Sequence, residues 1–252
     1  MSLFKNKNVI ITGSSRGIGR SCALKFAQEG ANVIINYRKR EEKALELLKE
    51  IESYGVKALA VRADVSEIED AHKLIDIAIE TFGHIDVLVN NAGIWIETPA
   101  GSTQKETIDN VIGVNLKSVI YLSNRIIPHF RARKAGRIIN ISSTAGQRGE
   151  ACYSVYAATK GAIISYTKSL SSELAKDGIL VNAVAPGWVD TELNDSVFSD
   201  QLNKAKIAAT IPIGHIPTPD EVAGSVLFLS SPWSSVITGE VLNVNGGSVL
   251  CG

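Results

Sequence analysis

Thr12-Gly13-Ser14-Ser15-Arg16-Gly17-Ile18-Gly19 decides the fold of this chain. It continues the apolar run Val9 to Thr12 and opens a helix-like segment near 18 to 29. Glycines at 13, 17 and 19 allow a tight turn and close backbone approach, so the first amides and the dipole of the helix can face a pyrophosphate. A glycine-rich turn between strand and helix also serves as plain punctuation. Its position directly after a first strand is what favours the phosphate reading.

Working outward, short runs rich in Val and Ile recur between longer helix-like segments. They are Val9 to Thr12, Ala31 to Asn36, Val56 to Arg62, Val87 to Asn90, Arg137 to Ile141, Leu180 to Ala185 and Val241 to Val244. Such continuous apolar runs are what strands buried on both faces need. Helices are predicted near 18 to 29, 40 to 53, 67 to 82, 104 to 132, 153 to 176 and 219 to 230, with Asp64-Val65-Ser66-Glu67 offering a capping start to the third. Strand and helix alternate throughout. Right-handed crossovers then give an α/β, doubly wound parallel sheet of seven strands with helices on both faces, whose ligands sit beyond the strand carboxyl ends where the winding reverses. No repeat or linker divides residues 1–252, so one domain is expected. The stretch 188–216 breaks the rhythm, and reads either as a mobile substrate lid or as a short surface helix with irregular flanks.

Composition narrows the partners. The 252 residues are 45% hydrophobic, enough for an ample core, and 26 Lys plus Arg balance 26 Asp plus Glu. No field of one sign would draw nucleic acid or an anionic membrane, so a small molecule is the expected partner. Cys22, Cys152 and Cys251, like the four histidines, lie in unrelated segments without metal spacing, and no metal is expected. No apolar stretch approaches the roughly 18 residues of a membrane span, and a secretion signal is lacking at the amino terminus. The expected location is cytoplasmic.

A dinucleotide site that prefers NAD usually places an acid about 20 residues downstream, at the end of strand two. That end reads Asn36-Tyr37-Arg38, with no carboxylate before Glu41. Arg38 and Arg16 could both approach a phosphate on the ribose, where guanidinium forks match phosphate oxygens, and NADP(H) is favoured. The plainer reading makes Arg38, Lys39 and Arg40 a solvated turn.

Farther on, Tyr156 and Lys160 lie four apart on the fifth predicted helix, sharing one face, and Ser143 ends the fifth strand. Phenol, ammonium and hydroxyl together suit proton transfer to a carbonyl oxygen, with the cation favouring phenolate. Each has a duller reading, as an exposed helix pair and a turn residue. Tyr153 is a decoy, since Ala157 stands four residues on.

Taken in order, these motifs resemble the short-chain dehydrogenase/reductase superfamily over essentially the whole chain. Thr12 to Gly19 is similar to its glycine loop, Asp64 to its adenine contact, Asn90-Asn91-Ala92-Gly93 to its strand-four signature, and Pro186-Gly187 with Thr191 to its nicotinamide clamp. Asn115, Ser143, Tyr156 and Lys160 resemble its catalytic tetrad, in which Asn115 holds a water that links Lys160 to solvent. The resemblance implies a Rossmann-type sheet of order 3-2-1-4-5-6-7 and a homotetramer. It implies cofactor binding by Gly13, Ser14, Ser15, Arg16, Gly17, Ile18, Gly19, Arg38, Asp64, Val65, Asn91, Gly93, Tyr156, Lys160, Pro186, Gly187, Val189 and Thr191; Asn90 and Asn91 either satisfy backbone groups between strands or serve the cofactor, with Asn91 the nearer to it.

Within that superfamily the chain resembles the bacterial 3-oxoacyl thioester reductases and, nearly as well, sugar dehydrogenases of the glucose type. A carbonyl or alcohol substrate follows, with an acyl carrier protein as its candidate carrier. Such a carrier is acidic and would need basic residues at the pocket mouth. Arg131, Arg133, Lys134 and Arg137 form a basic cluster, although cations closing a helix need no partner. Asp177 before Gly178 departs from the basic residue common there in carrier-protein reductases. Trp95 and Trp188 directly follow motif residues and wall the substrate pocket or pack in the core. Cys152 reads as a bystander. A cofactor-binding regulator without turnover is the reading from another class.

Overall fold

The computed structural model describes residues 2–251. Seven strands form one parallel sheet in the order β3-β2-β1-β4-β5-β6-β7: β1 (Asn8–Ile11), β2 (Asn32–Tyr37), β3 (Ala58–Arg62), β4 (Val87–Asn90), β5 (Gly136–Ile141), β6 (Ile179–Pro186) and β7 (Val241–Val244). The expected order and class therefore hold, and the winding reverses between β1 and β4. Register is set by paired aliphatics, Ile10 lying opposite both Ile34 and Leu88. Alternation sends Ile10, Leu88, Ile138 and Val181 to one face and Val9, Ile11, Val89 and Ile139 to the other.

Helices cover both faces. On one lie α1 (Gly17–Gln28), α2 (Glu41–Glu52) and α10 (Pro219–Ser230), which contribute Phe26, Leu47 and Val226. The other carries α3 (Ile68–Phe82), α5 (Ser118–Arg133) and α7 (Ser154–Leu174), with Leu74, Phe130 and Leu170. Each such side chain withdrawn from water contributes roughly 1.5–3 kcal/mol, and this double burial explains why the strands are mainly aliphatic, with buried asparagines such as Asn36, Asn90 and Asn140 held in hydrogen bonds.

Two features differ from the expectation. The long helix predicted over 104–132 is α4 (Lys105–Ile112), a π-helical turn (Gly113–Lys117) and then α5. Asn115 sits inside the π turn and is fully buried. Nor does Ser66 or Glu67 cap α3, because Asp64 Oδ1 takes both the Ser66 amide (3.1 Å) and its hydroxyl (2.7 Å). A capping box forms instead at α10, between Thr218 and Glu221. In 188–216 the chain makes a 3-10 turn (Glu192–Asn194), α8 (Asp195–Phe198) and α9 (Gln201–Ala209). These pack through a small cluster of Phe198, Ile211 and Ile216 against Trp188, apart from the main core.

Candidate active site

A cleft of about 570 Å³ opens over the carboxyl ends of the strands at the point where the winding reverses. Gly13, Ser15, Arg16, Gly17, Ile18, Arg38, Asp64, Val65, Asn91, Gly93, Pro186, Gly187, Val189 and Thr191 line it, together with Ser143, Tyr156 and Lys160. Two expected residues of the glycine loop stand behind the wall. Ser14 donates to the Ile11 carbonyl (2.9 Å), and a Cβ on Gly19 would lie 2.5 Å from Asn91 Nδ2. Both shape the loop and do not face the cleft.

At the first end of the cleft, backbone geometry dominates. Gly13 and Gly17 have φ of +61° and +53°, a region that disfavours any side chain, and a Cβ on Gly13 would come within 3.0 Å of Ala92 Cα. Asn91 Nδ2 donates to the Thr12 and Gly13 carbonyls (2.8 and 3.2 Å), while Thr12 Oγ1 accepts the amides of Asn91 and Ala92 at 3.0 Å each. The start of α1 has no side-chain cap at Arg16, so its first amides stay available to an anion. Asn90 points to the core instead, donating to Asn140 Oδ1 at 2.9 Å.

Asn36 is the residue that sequence reasoning passed over. Its Oδ1 accepts the Gly13 amide (3.1 Å) and its Nδ2 donates to the Ala63 carbonyl (3.1 Å), joining the ends of β2 and β3 to the glycine loop. An amide at the end of an otherwise aliphatic strand was the available signal. Next to it, Arg38 pairs with Asp64 at 3.1 Å. Burial works against ionisation of Asp64, but the Ser66 hydrogen bonds and Arg38 outweigh it and hold the carboxyl below its usual range. Arg16 and Arg40 both reach Glu192, tying the loops of this end to the 188–216 segment.

At the other end Ser143, Tyr156 and Lys160 converge as the spacing predicted. Lys160 Nζ donates to the Ile141 carbonyl (2.7 Å) and stands 5.8 Å from the centre of the Tyr156 ring. Gly146, in the short helix α6 (Ala145–Arg148), permits the close packing of this helix on α7, since a Cβ there would lie 2.5 Å from the Lys160 carbonyl carbon. Asn115 contributes from behind. Its Oδ1 accepts the Ile94 amide (2.8 Å) and its Nδ2 donates to the Ile94 carbonyl (2.9 Å), so the side chain is engaged with the loop that follows β4.

One electrostatic expectation is corrected. Burial pushes the Tyr156 phenol up to about 12, the Ser143 hydroxyl pulls against the rise, and the Glu150 carboxylate adds to it. Lys160 does not depress the phenol as expected, because desolvation dominates at the tyrosine and the ammonium is engaged by a main-chain carbonyl. Burial lowers Lys160 itself to about 8.

The basic cluster is also placed elsewhere. Arg131 bonds Asp177 (2.8 Å) and Glu173 (3.1 Å), Arg133 pairs with Asp86 (3.3 Å), and Arg137 donates to Ser234 (3.2 Å). All precede or open β5, whereas Ser143 follows its far end, so about 20 Å of strand separates them from the cleft. Trp95 and Trp188, by contrast, do line the cleft.

Comparisons with known proteins agree with this geometry. A family model described as enoyl-(acyl carrier protein) reductase matches residues 13–248. The chain is 40% identical over 241 residues to the protein named 3-oxoacyl-(acyl-carrier-protein) reductase FabG of Staphylococcus aureus, spanning 96% of this chain and 97% of that one. It is 42% identical over 247 residues to 3beta-hydroxysteroid dehydrogenase 1 of Eggerthella lenta, spanning 98% and 95% respectively. A short chain dehydrogenase from Burkholderia cenocepacia J2315, solved in complex with NADP, superposes with a TM-score of 0.90 at 33% identity over 98% of this chain and 99% of that one.

Proposed function

We propose, for a chain that belongs to the short-chain dehydrogenase/reductase family and is an oxidoreductase acting on CH–OH groups, that it couples NADP(H) to a carbonyl or secondary alcohol through Tyr156. The observation that carries this reading is one cleft holding an uncapped helix start with its glycine cradle at one end and the Ser143–Tyr156–Lys160 constellation at the other. That cradle fits a dinucleotide: the amides of α1 suit its pyrophosphate and Arg38 with Arg16 a ribose phosphate. Pro186, Gly187 and Thr191 would border the nicotinamide. When bound, the cofactor supplies or accepts the hydride.

The protein's own groups do the rest. Ser143 donates a hydrogen bond to the substrate oxygen and fixes its orientation. Tyr156, protonated at neutral pH, hands its proton to that oxygen as charge develops there. Lys160 holds a positive charge nearby, and Asn115 positions the Ile94 loop. In the oxidative direction the phenol must first lose its proton, so alcohol oxidation should climb with pH through the alkaline range while carbonyl reduction is already served at neutral pH. Replacement Tyr156→Phe is expected to lower turnover about 10³-fold while leaving NADPH affinity nearly intact, read by steady-state rates and cofactor titration. Substantial residual turnover would remove the acid from this account.

The name of the Staphylococcus aureus relative supports a 3-oxoacyl thioester as substrate, and that of the Eggerthella lenta relative supports a ring alcohol. We read 188–216 as the lid over either. A homotetramer remains part of the reading, supported by exposed Trp233, Val236 and Leu250, and a solution mass near 27.0 kDa would refute it.

A further inference from the structure

The substrate end of the cleft contains a feature that the chemistry above does not use. Trp95, from the loop after β4, and Trp188, just after β6, meet edge to face with centroids 5.8 Å apart and planes at 84°. Each indole is backed by another ring. Tyr153 stacks flat on Trp95 at 4.0 Å and 4°, and Phe198 packs against Trp188 at 5.7 Å. Tyr153 is fixed in turn by donating to Glu97 (3.2 Å). Two perpendicular, buttressed indoles make a rigid right-angled corner. One plane offers a π face and the other an edge, which is the arrangement that receives a flat ring.

The polar groups around the corner point the same way. Glu150 lines the cleft, half-buried, and accepts from Trp95 Nε1 at 3.4 Å. Its charge is felt at the Tyr156 phenol, so a carboxylate lies within electrostatic range of the reacting oxygen. Arg148 stands beside it and also lines the cleft. The arginines that could have received an acidic carrier protein lie at the foot of the sheet, far from this corner.

Resting on the reading of Tyr156 and Ser143 given above, we propose that the substrate is a neutral, flat cyclic ketone or the corresponding ring alcohol, held in the Trp95–Trp188 corner with its carbonyl oxygen towards Tyr156. Glu150 accepts a hydrogen bond from a hydroxyl on the same ring system. Straight-chain thioesters gain little from two perpendicular indole walls and are the poorer substrates.

The test compares 2-decalone and 2-tetralone with acetoacetyl-coenzyme A, each with NADPH. The ring ketones are expected to have the higher kcat/KM by tenfold or more. Trp95→Ala and Trp188→Ala should cut the ratio of ring-ketone to thioester kcat/KM about tenfold, mainly through KM, and Trp95→Phe should keep most of it. As a readout independent of turnover, 2-decalone should quench the intrinsic indole fluorescence of the wild-type protein, and less so that of Trp95→Phe. A thioester preferred over both ketones, or tryptophan variants that leave the ratio unchanged, overturns the proposal. Failure to reduce any of the three overturns the underlying reading of Tyr156, and fluorescence then reports separately whether the corner binds a ring.

Discussion

The two ends of the cleft are built on different terms. At the glycine-loop end the ligand-facing surface is main chain: positive-φ glycines make the turns, and the short side chains of Thr12, Asn36 and Asn91 tie them to the ends of four adjacent strands. The substrate end is made of side chains from segments far apart in sequence, with short helices resting on a satellite cluster. A backbone cradle has few alternatives and tolerates little. A wall of rings on short helices can be repacked with the frame intact, which is how one fold serves many substrates.

Beyond the loss of turnover in Tyr156→Phe, the most damaging single change should fall in the cradle. Gly13→Val forces a branched side chain to a φ of +61° and onto Ala92, and NADPH affinity should drop about a hundredfold or more by titration. If affinity survived, the rigid half of the contrast would be broken. Arg38→Asp comes next. Losing a charge-assisted bond worth about 1.5–3 kcal/mol should weaken NADPH by about ten- to a hundredfold and NADH by far less. An unchanged ratio of the two affinities would sink the phosphate assignment.

Lys160→Met sharpens the contrast through stability. Burial lowers this ammonium from 10.5 to about 8, so keeping it charged at neutral pH costs the fold about 3 kcal/mol, partly offset by its bond to Ile141. The variant should be inactive yet more stable at pH 7 by about 1–2 kcal/mol, seen as a higher Tm. Between pH 8 and 10.5 the unfolded wild-type chain holds a proton that the folded one has released, so wild-type stability rises with pH and the gap between the two narrows. A gap that widened over that window would refute the assignment. The smallest effect belongs to the bridge between the two ends. Glu192→Gln removes exposed pairs with Arg16 and Arg40 and should change stability by less than about 0.5 kcal/mol in denaturant titrations.

Much of this was legible in the chain alone, because its signals are local. Alternating apolar runs announce strands buried on both faces, glycines at 13, 17 and 19 announce the turn, and the offset from Tyr156 to Lys160 announces a shared helix face. Asn91 lines the cleft, while Asn90 turns to the core, a division that the neighbouring residues alone did not specify. The π turn at Asn115 was hidden, since its cause is the bond between that buried amide and the Ile94 main chain, 21 residues away.

Sequence by itself thus determined the alternation of strand and helix, the cleft's place and the residues that meet there, since periodicity and backbone conformation are properties of neighbouring residues; the strand order came from the family resemblance. Only the tertiary structure decided that Tyr153, a decoy for the catalytic tyrosine as its spacing implied, is the backing of Trp95, that the arginine cluster lies at the foot of the sheet, and that the phenol is held high and not low. Those depend on distance and desolvation in three dimensions, to which spacing along a chain is blind.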